Sequence, residues 1–85
     1  MKQITIYSSL ICPFCIAAKK IFIDKGLNYI EIVIDGNDYL KKKMISLTNG
    51  KKTVPQIFFD DILVGGYSDL SKLVVNGKLH EKLED

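Results

Sequence analysis

The sequence predicts an α/β fold in which helices cover both faces of a mixed four-stranded sheet. Segments that alternate like strands are interleaved with segments whose apolar residues recur at helical spacing. Glycine, asparagine and aspartate stand between most of these segments. The chain has 85 residues, of which 47% are hydrophobic. It can therefore bury one modest core, and we expect residues 1–85 to form one domain.

The first third of the chain is typical of a βαβ unit. Gln3–Tyr7 and Asn28–Ile34 are rich in β-formers and are predicted to be strands. Between them, Pro13 suits the first position of a helix and Gly26 suits the residue just past its end. The apolar residues of this helix fall at helical spacing: Phe14, Ala18, Ile21 and Phe22. The two strands should be parallel, with a right-handed crossover.

The middle of the chain predicts a second helix and a hairpin. Residues 35–38 form a turn and cap, and the helix that follows ends at Gly50. One stripe of this helix should face the core: Leu40, Met44 and Leu47. Residues 56–59 and 62–64 are predicted to be short strands joined by a tight turn at Asp60 and Asp61.

The last part of the chain predicts a helix after a glycine break. Gly65 and Gly66 interrupt the chain, and Ser68 is suited to cap the helix that carries Leu70, Leu73 and Val74. Gly77 separates this helix from a short tail helix. The predicted order is β-α-β-α-β-β-α before the tail.

Composition excludes several classes of function. Twelve lysines face ten acidic residues, for a net charge of +2, which is too even for a nucleic-acid-binding surface. Lys41–Lys43 is predicted to be a solvated helix face. No apolar stretch approaches a membrane span, and the N-terminus lacks the apolar core of a signal peptide. We therefore expect a soluble cytoplasmic protein with no nucleic-acid or membrane partner, where a close cysteine pair favours redox or metal chemistry.

The cysteine pair lies where the first helix should begin. Residues three apart share a helix face, so Cys12 would lie at the N-terminal end and Cys15 one turn further in and more buried. Unsatisfied N–H groups and the helix dipole favour the thiolate form at the first position. A thiolate is the attacking species in thiol–disulfide exchange. Pro13 pre-sets the helical backbone angle, and Phe14 can cover one side of the site.

Other interpretations of the pair remain open. Zinc needs four ligands, and the only histidine, His80, is distant and is predicted to be a surface residue. A cluster shared by two subunits needs only one cysteine from each, so an iron–sulfur carrier remains an alternative. Two packed, inert cysteines remain another. A Cys-x-x-Cys motif in a βαβ unit favours a redox couple, with no metal.

Two further segments suggest a ligand site. Pro55 precedes a strand, where proline is tolerated, and a cis Val54–Pro55 bond would leave the Val54 backbone free to pair with an extended peptide. An ordinary trans proline is the alternative. After the glycine pair, N–H groups at Ser68 could hold a carboxylate and Asp69 could hold an ammonium group. Simple capping by these two residues is the alternative.

With these elements in this order, the whole chain resembles a glutaredoxin of the small bacterial dithiol type. The matching motifs are CPFC, TVPQIF and GGYSDL. The resemblance implies a thioredoxin fold and glutathione as reductant and co-substrate, with no permanently bound cofactor. It implies that Cys12 is the nucleophile and Cys15 the resolving thiol. The implied glutathione-binding residues are Phe14, Lys51, Lys52, Thr53, Val54, Pro55, Ser68 and Asp69.

The chain departs from the family pattern at two positions. Ser9 stands where the family commonly has a lysine three residues before the first cysteine, and Phe14 replaces the usual tyrosine. The missing positive charge could be supplied by Lys51, Lys52 or Lys19. The implied partners are glutathione, glutathionylated proteins and protein disulfides, and the chain is predicted to be a monomeric oxidoreductase. A thioredoxin-like donor that ignores glutathione remains an alternative.

Overall fold

The computed structural model describes residues 1–85 and contains four strands and four helices. In chain order they are β1 (Ile4–Ser8), α1 (Pro13–Asp24), β2 (Tyr29–Val33), α2 (Asp38–Leu47), β3 (Gln56–Phe59), β4 (Ile62–Gly65), α3 (Tyr67–Val75) and α4 (Leu79–Leu83). The predicted order and the tail helix are confirmed. None of the helices has both the length and the apolar character that crossing a membrane requires.

The four strands form one mixed sheet in the order β2-β1-β3-β4. Strand β1 pairs parallel with β2, placing Ile6 opposite Glu31, and antiparallel with β3. Strands β3 and β4 form the predicted antiparallel hairpin. Because β1 is an inner strand, it ends at Ser8 near the middle of one edge of the sheet. The loop that carries Cys12 begins there.

Helices lie on both faces of the sheet, as predicted. Strand alternation directs Ile57 and Phe59 to one face and Phe58 to the other. The first face packs against α1, α3 and α4 through ten buried residues: Ile4, Ile6, Ala18, Phe22, Leu27, Ile57, Phe59, Leu70, Leu79 and Leu83. The second face packs against α2 through a smaller cluster: Tyr7, Ile34, Met44 and Phe58. The larger core therefore supports the helix that carries the cysteines.

The predicted stripe of α2 is wrong at its last position. Met44 is fully buried, but Leu47 is 49% exposed. The residue that continues the buried line is Thr48, four positions after Met44, and its hydroxyl donates to the Met44 carbonyl at 2.8 Å. A helix turns 100° per residue. Thr48, four positions after Met44, therefore lies closer to Met44 around the helix axis than Leu47, which is three positions after it. The helix itself ends at Leu47, before Gly50.

The first turns of α1 and α3 contain one exposed apolar residue and one capping prediction that needs correction. Phe14, one of the apolar residues at helical spacing in α1, lies in the first turn and is 61% exposed, unlike the buried Ala18 and Phe22. Ser68 is not the cap of α3. The helix begins at Tyr67, and Gly66 is the capping residue because its extended backbone already precedes the first turn.

Candidate active site

Cys12 is the N-cap of α1, at the end of the loop that follows β1. Its backbone is extended, and its Sγ accepts a hydrogen bond from the Cys15 N–H at 3.2 Å. Pro13 occupies the first helical position, where no N–H is needed. The side chain of Cys12 is half-buried. This geometry directs an N–H group of the first helical turn at the Cys12 sulfur.

Cys15 lies one turn further along the same helix and is fully buried. Burial, followed by a hydrogen bond with the Cys12 side chain, raises the pKa of the Cys15 thiol to about 12. A backbone hydrogen bond from Ser9 and the charge of Lys19 act in the opposite direction. Both cysteines are free thiols. The predicted difference in exposure between the two sulfurs is therefore present.

The segment before β3 lies against Cys12. The Cys12 thiol donates to the Val54 carbonyl oxygen at 3.6 Å. The Val54–Pro55 peptide bond is cis, as the strand-start position of the proline suggested. Buried Gln56 anchors the segment from behind, because its side-chain amide donates to the Thr53 carbonyl at 3.0 Å.

A groove of about 250 Å³ lies beside this contact. Its lining residues are Phe14, Thr53, Val54, Pro55, Gly66, Tyr67 and Ser68. Three separate segments therefore meet here, and five of the predicted glutathione-binding residues are brought together. Tyr67 was missed by sequence reasoning, although it stands in the middle of the GGYSDL motif. Its ring packs on Phe14 with centroids 5.7 Å apart, so the two aromatic residues form one wall.

The other three predicted ligand residues do not line the groove. Asp69 is exposed, and its carboxylate accepts the Gly66 N–H at 3.1 Å, which is the capping role left open by the sequence. Gly65 has a positive φ of 121°, and a side chain there would collide with that carboxylate. Lys51 and Lys52 are exposed and lead directly into Thr53, without an ion-pair partner.

The largest cavity of the molecule is elsewhere. It measures about 620 Å³ and lies between β4, α3 and α4, with no cysteine in its lining. Asp69 lines this cavity rather than the groove.

His80 is an exposed residue of α4, and no three His, Cys, Asp or Glu side chains are grouped to hold a metal ion. The site is therefore identified by its thiols and not by its volume.

Ser9, which stands where the family commonly has a lysine, lies next to the carboxylate of Asp35. The side chain of Ser9 and the backbone N–H of Leu10 hydrogen-bond to Asp35, and these contacts hold its pKa below the usual range. The Leu10 contact measures 2.9 Å. Asp35 thus pins the loop that leads to Cys12. This side of the site carries a negative charge instead of the family's positive one.

Lys19, one candidate to replace that charge, is engaged in the interior. Its ammonium contacts the Glu31 carboxylate at 2.8 Å, and the Ser8 hydroxyl donates to the same oxygen at 2.6 Å. The hydrogen bond to Glu31 raises the pKa of Lys19, and the bond from Lys19, followed by the one from Ser8, lowers the pKa of Glu31. Lys51 and Lys52, which precede the groove residue Thr53 in the chain, are therefore the remaining candidates.

Comparison with known proteins identifies the family. The glutaredoxin family model matches residues 4–64. Glutaredoxin 1 of Rickettsia felis is 44% identical over 85 residues, spanning 99% of this chain and 83% of the relative. The solution structure of a Brucella melitensis glutaredoxin superposes with a TM-score of 0.85 at 36% identity, covering 98% of this chain and 89% of that one.

A buckwheat glutaredoxin–glutathione complex also superposes, with a TM-score of 0.86 at 27% identity, covering 96% of this chain and 76% of that one. Together with the family match and the 44% identical relative, these likenesses confirm the thioredoxin-like fold and the predicted family. The chain belongs to the glutaredoxin family, whose members are glutathione-dependent thiol–disulfide oxidoreductases, and it is an enzyme of that class.

Proposed function

We propose that the enzyme reduces protein–glutathione mixed disulfides and protein disulfides through its CPFC pair, with Cys12 as the attacking thiol. The observation that supports this most directly is the placement of the Cys12 sulfur. It lies at the start of α1, 3.6 Å from the Val54 carbonyl, beside the groove that Phe14 and Val54 line. A reactive sulfur next to a peptide-sized groove suits exchange with a thiol peptide.

For a glutathionylated substrate, one attacking sulfur is sufficient. The Cys12 thiolate attacks the glutathione sulfur, the mixed disulfide breaks, and the substrate leaves as a thiolate that takes up a proton. Cys12 now carries glutathione in a disulfide bond. A second glutathione thiolate attacks the glutathione sulfur of that bond, which releases oxidised glutathione and restores Cys12. Each exchange transfers one sulfur–sulfur bond.

For a protein disulfide, both cysteines take part. Cys12 attacks one sulfur of the substrate and forms a mixed disulfide with it. Cys15 then attacks Cys12, so the substrate leaves reduced and the Cys12–Cys15 disulfide forms. The two sulfurs are suited to this step because the Cys15 N–H already hydrogen-bonds to the Cys12 Sγ at 3.2 Å. Proximity of this kind gives a high effective concentration.

Glutathione is assigned to the groove by its chemistry. Thr53 and Val54 offer backbone groups to the cysteinyl residue of glutathione, beside Pro55 and the ring of Phe14. The free N–H groups at the start of α3, near Ser68, suit the γ-glutamyl carboxylate, and Asp69 suits its ammonium group. Lys51 or Lys52 can meet the glycine carboxylate. The buckwheat relative with a glutathione complex supports this assignment.

We also assign the enzyme to the cytoplasm and to a monomeric state. Two free cysteines next to each other suit a compartment that keeps thiols reduced.

The test is turnover of a glutathionylated peptide with two alternative electron sources. With glutathione, glutathione reductase and NADPH, the enzyme should turn over. With thioredoxin reductase and NADPH, it should not. Turnover with the second source alone would identify a thioredoxin-like donor and overturn the proposal. A visible absorption spectrum of protein purified without oxygen tests the iron–sulfur alternative, since a bound cluster is coloured.

A further inference from the structure

A shielded charge cluster lies behind the cysteines and has no part in the mechanism above. It consists of Lys19 on α1, Glu31 on β2 and Ser8 at the end of β1. The chain has three ion pairs, and this is the one whose side chains are both mostly covered, at 20% and 25% exposure. The pair of Lys20 and Asp24 on the same helix is 73% and 59% exposed. A covered ion pair needs a reason beyond surface solvation.

Two segments of the chain, α1 and the end of β1, connect the cluster to Cys15. Lys19 follows Cys15 by four positions, so their β-carbons are neighbours on one helix face, about 5–6 Å apart. Ser8, which donates to Glu31 at 2.6 Å, is followed directly by Ser9, whose backbone acts to lower the pKa of the Cys15 thiol. The end of β1 and the second turn of α1 therefore hold the ammonium group close to the buried thiol.

Cys15 needs such a group because of where it lies. A buried thiol must lose its proton before it can attack, and burial opposes the charged form. The groups around it are the Cys12 thiol in the loop and Lys19 on α1, and those around Lys19 are Glu31 and Tyr29 on β2. Among these, Lys19 is the one positive charge. Its field favours the Cys15 thiolate, while Glu31 and Ser8 limit where the ammonium group can go.

We propose that Lys19, held in place by Glu31 and Ser8, is a positioning residue that promotes the attack of Cys15 on a Cys12 mixed disulfide. This inference rests on the proposed function, because it assumes that Cys12 attacks first. In the step, Cys15 loses its proton to solvent and its sulfur forms a bond to Cys12. The bond between Cys12 and the substrate sulfur breaks, and the substrate leaves with the electron pair and takes up a proton. The cysteine pair is oxidised and the substrate is reduced.

The test is a single-turnover reaction of the reduced enzyme with dithiobis(nitrobenzoate). Cys12 attacks and releases one thionitrobenzoate, and Cys15 then displaces the second from Cys12. The ratio of the second rate to the first isolates the Cys15 step. The variants are Lys19→Met, which removes the charge, Lys19→Arg, which keeps it, and Lys20→Met, the matched control on the same helix. Each is followed from neutral to mildly alkaline pH.

We expect the ratio to fall about three- to tenfold in Lys19→Met at neutral pH. A positive charge one helical turn away lowers the pKa of a thiol by roughly one unit, and the negative charge of Glu31 offsets part of this effect. The deficit should stay nearly constant from neutral to mildly alkaline pH, because the Cys15 pKa of about 12 lies far above this range and both proteins gain thiolate in proportion. Lys19→Arg should restore the ratio, and Lys20→Met should match the wild type.

Other outcomes separate the two proposals. A ratio that changes less than twofold in Lys19→Met, at every pH, overturns the role of Lys19. Equal losses in Lys19→Met and Lys19→Arg do so as well, because they would reflect packing and not charge. If the wild-type enzyme shows no second phase, or if Cys15→Ser still shows one, then the roles given to the two cysteines are wrong and the proposed function fails first.

Discussion

Cys12 lies at an exposed rim of the molecule, whereas Cys15, three residues later, lies in its interior. The rim is apolar, with Leu10, Ile11 and Phe14 exposed by 66%, 88% and 61%. The interior is packed and carries a covered ion pair between Lys19 and Glu31. One turn of helix is enough to separate a sulfur that partners can reach from one that only Cys12 can reach. The comparison teaches that position along α1, and not residue type, sets how exposed each sulfur is, and the roles proposed for the two cysteines depend on this difference.

Removing each thiol in turn is the most direct test of the difference between the two cysteines. Cys12→Ser should lower both activities by at least about a hundredfold, because it removes the attacking sulfur. Cys15→Ser should keep the removal of glutathione and lose mainly the reduction of protein disulfides, since free glutathione can finish only the first reaction. Both rates are measured in a glutathione-coupled assay. Loss of both activities in Cys15→Ser, with none in Cys12→Ser, would mean that the nucleophile is misassigned.

The interior should respond to Glu31→Gln mainly in stability. Charged hydrogen bonds to Lys19 and Ser8 are lost, so we expect the free energy of unfolding to fall by about 1–2 kcal/mol at neutral pH, after allowance for partial exposure. The pKa of Glu31 is held below its ordinary value of 4.5, so its contribution exists above that pH and disappears as the pH falls through the lowered value.

Urea unfolding at neutral and acid pH measures this difference, which should shrink at acid pH. The raised pKa of Lys19 has the opposite sign and matters only above 10.5, outside this window. Asp24→Asn, which breaks the exposed pair with Lys20, is the control and should cost less than about 0.5 kcal/mol. An equal cost for both variants would remove the distinction between the covered ion pair and the exposed one.

Asp69→Ala addresses the start of α3, where capping and ligand binding compete as roles. Loss of the carboxylate that accepts the Gly66 N–H should lower the free energy of unfolding by about 1 kcal/mol. We also expect the KM for glutathione to rise, because the partner of its ammonium group is gone. Asp61→Ala in the hairpin turn is the control. A fall in stability with an unchanged KM would leave Asp69 as a cap alone.

The rim should respond to Tyr67→Ala in binding. Removing the ring that packs on Phe14 at 5.7 Å opens one wall of the groove, so the KM for glutathione should rise about two- to tenfold, as expected for an aromatic contact. Tyr39→Ala is the matched control because Tyr39 is 72% exposed on α2 and does not line the groove. Equal effects of the two substitutions would show that Tyr67 is not part of the binding site.

The smallest effect is expected when the family lysine is restored. In Ser9→Lys the new ammonium group would lie near Asp35, which already contacts this loop, so the KM for glutathione should change less than twofold. In the double variant Ser9→Lys with Asp35→Asn, binding should tighten further at low salt, because an exposed charge is screened within about 10 Å at 0.1 M. Tight glutathione binding by Ser9→Lys alone would show that Asp35 does not offset the charge of the new ammonium group.

The sequence by itself was enough to predict the order of elements and the family. Apolar periodicity and glycine positions predicted every strand and helix, because each element must bury one face against a common core. The spacing of Cys12 and Cys15 predicted one outer and one inner sulfur, since helix geometry alone decides which of two residues three apart comes first. The proline before β3 was suited to the cis bond that is present.

The tertiary structure decided which side chains meet. Tyr67 joins Phe14 in the groove wall, and Lys19 is drawn to Glu31, through contacts between elements that no local pattern encodes. It also decided that the Asp69 carboxylate accepts the Gly66 N–H at the start of α3, and that Thr48, not Leu47, continues the buried line of α2. Periodicity gives the direction of a side chain to within part of a turn. Which neighbour it meets depends on how the helices cross the sheet, and that is set by packing across the whole chain.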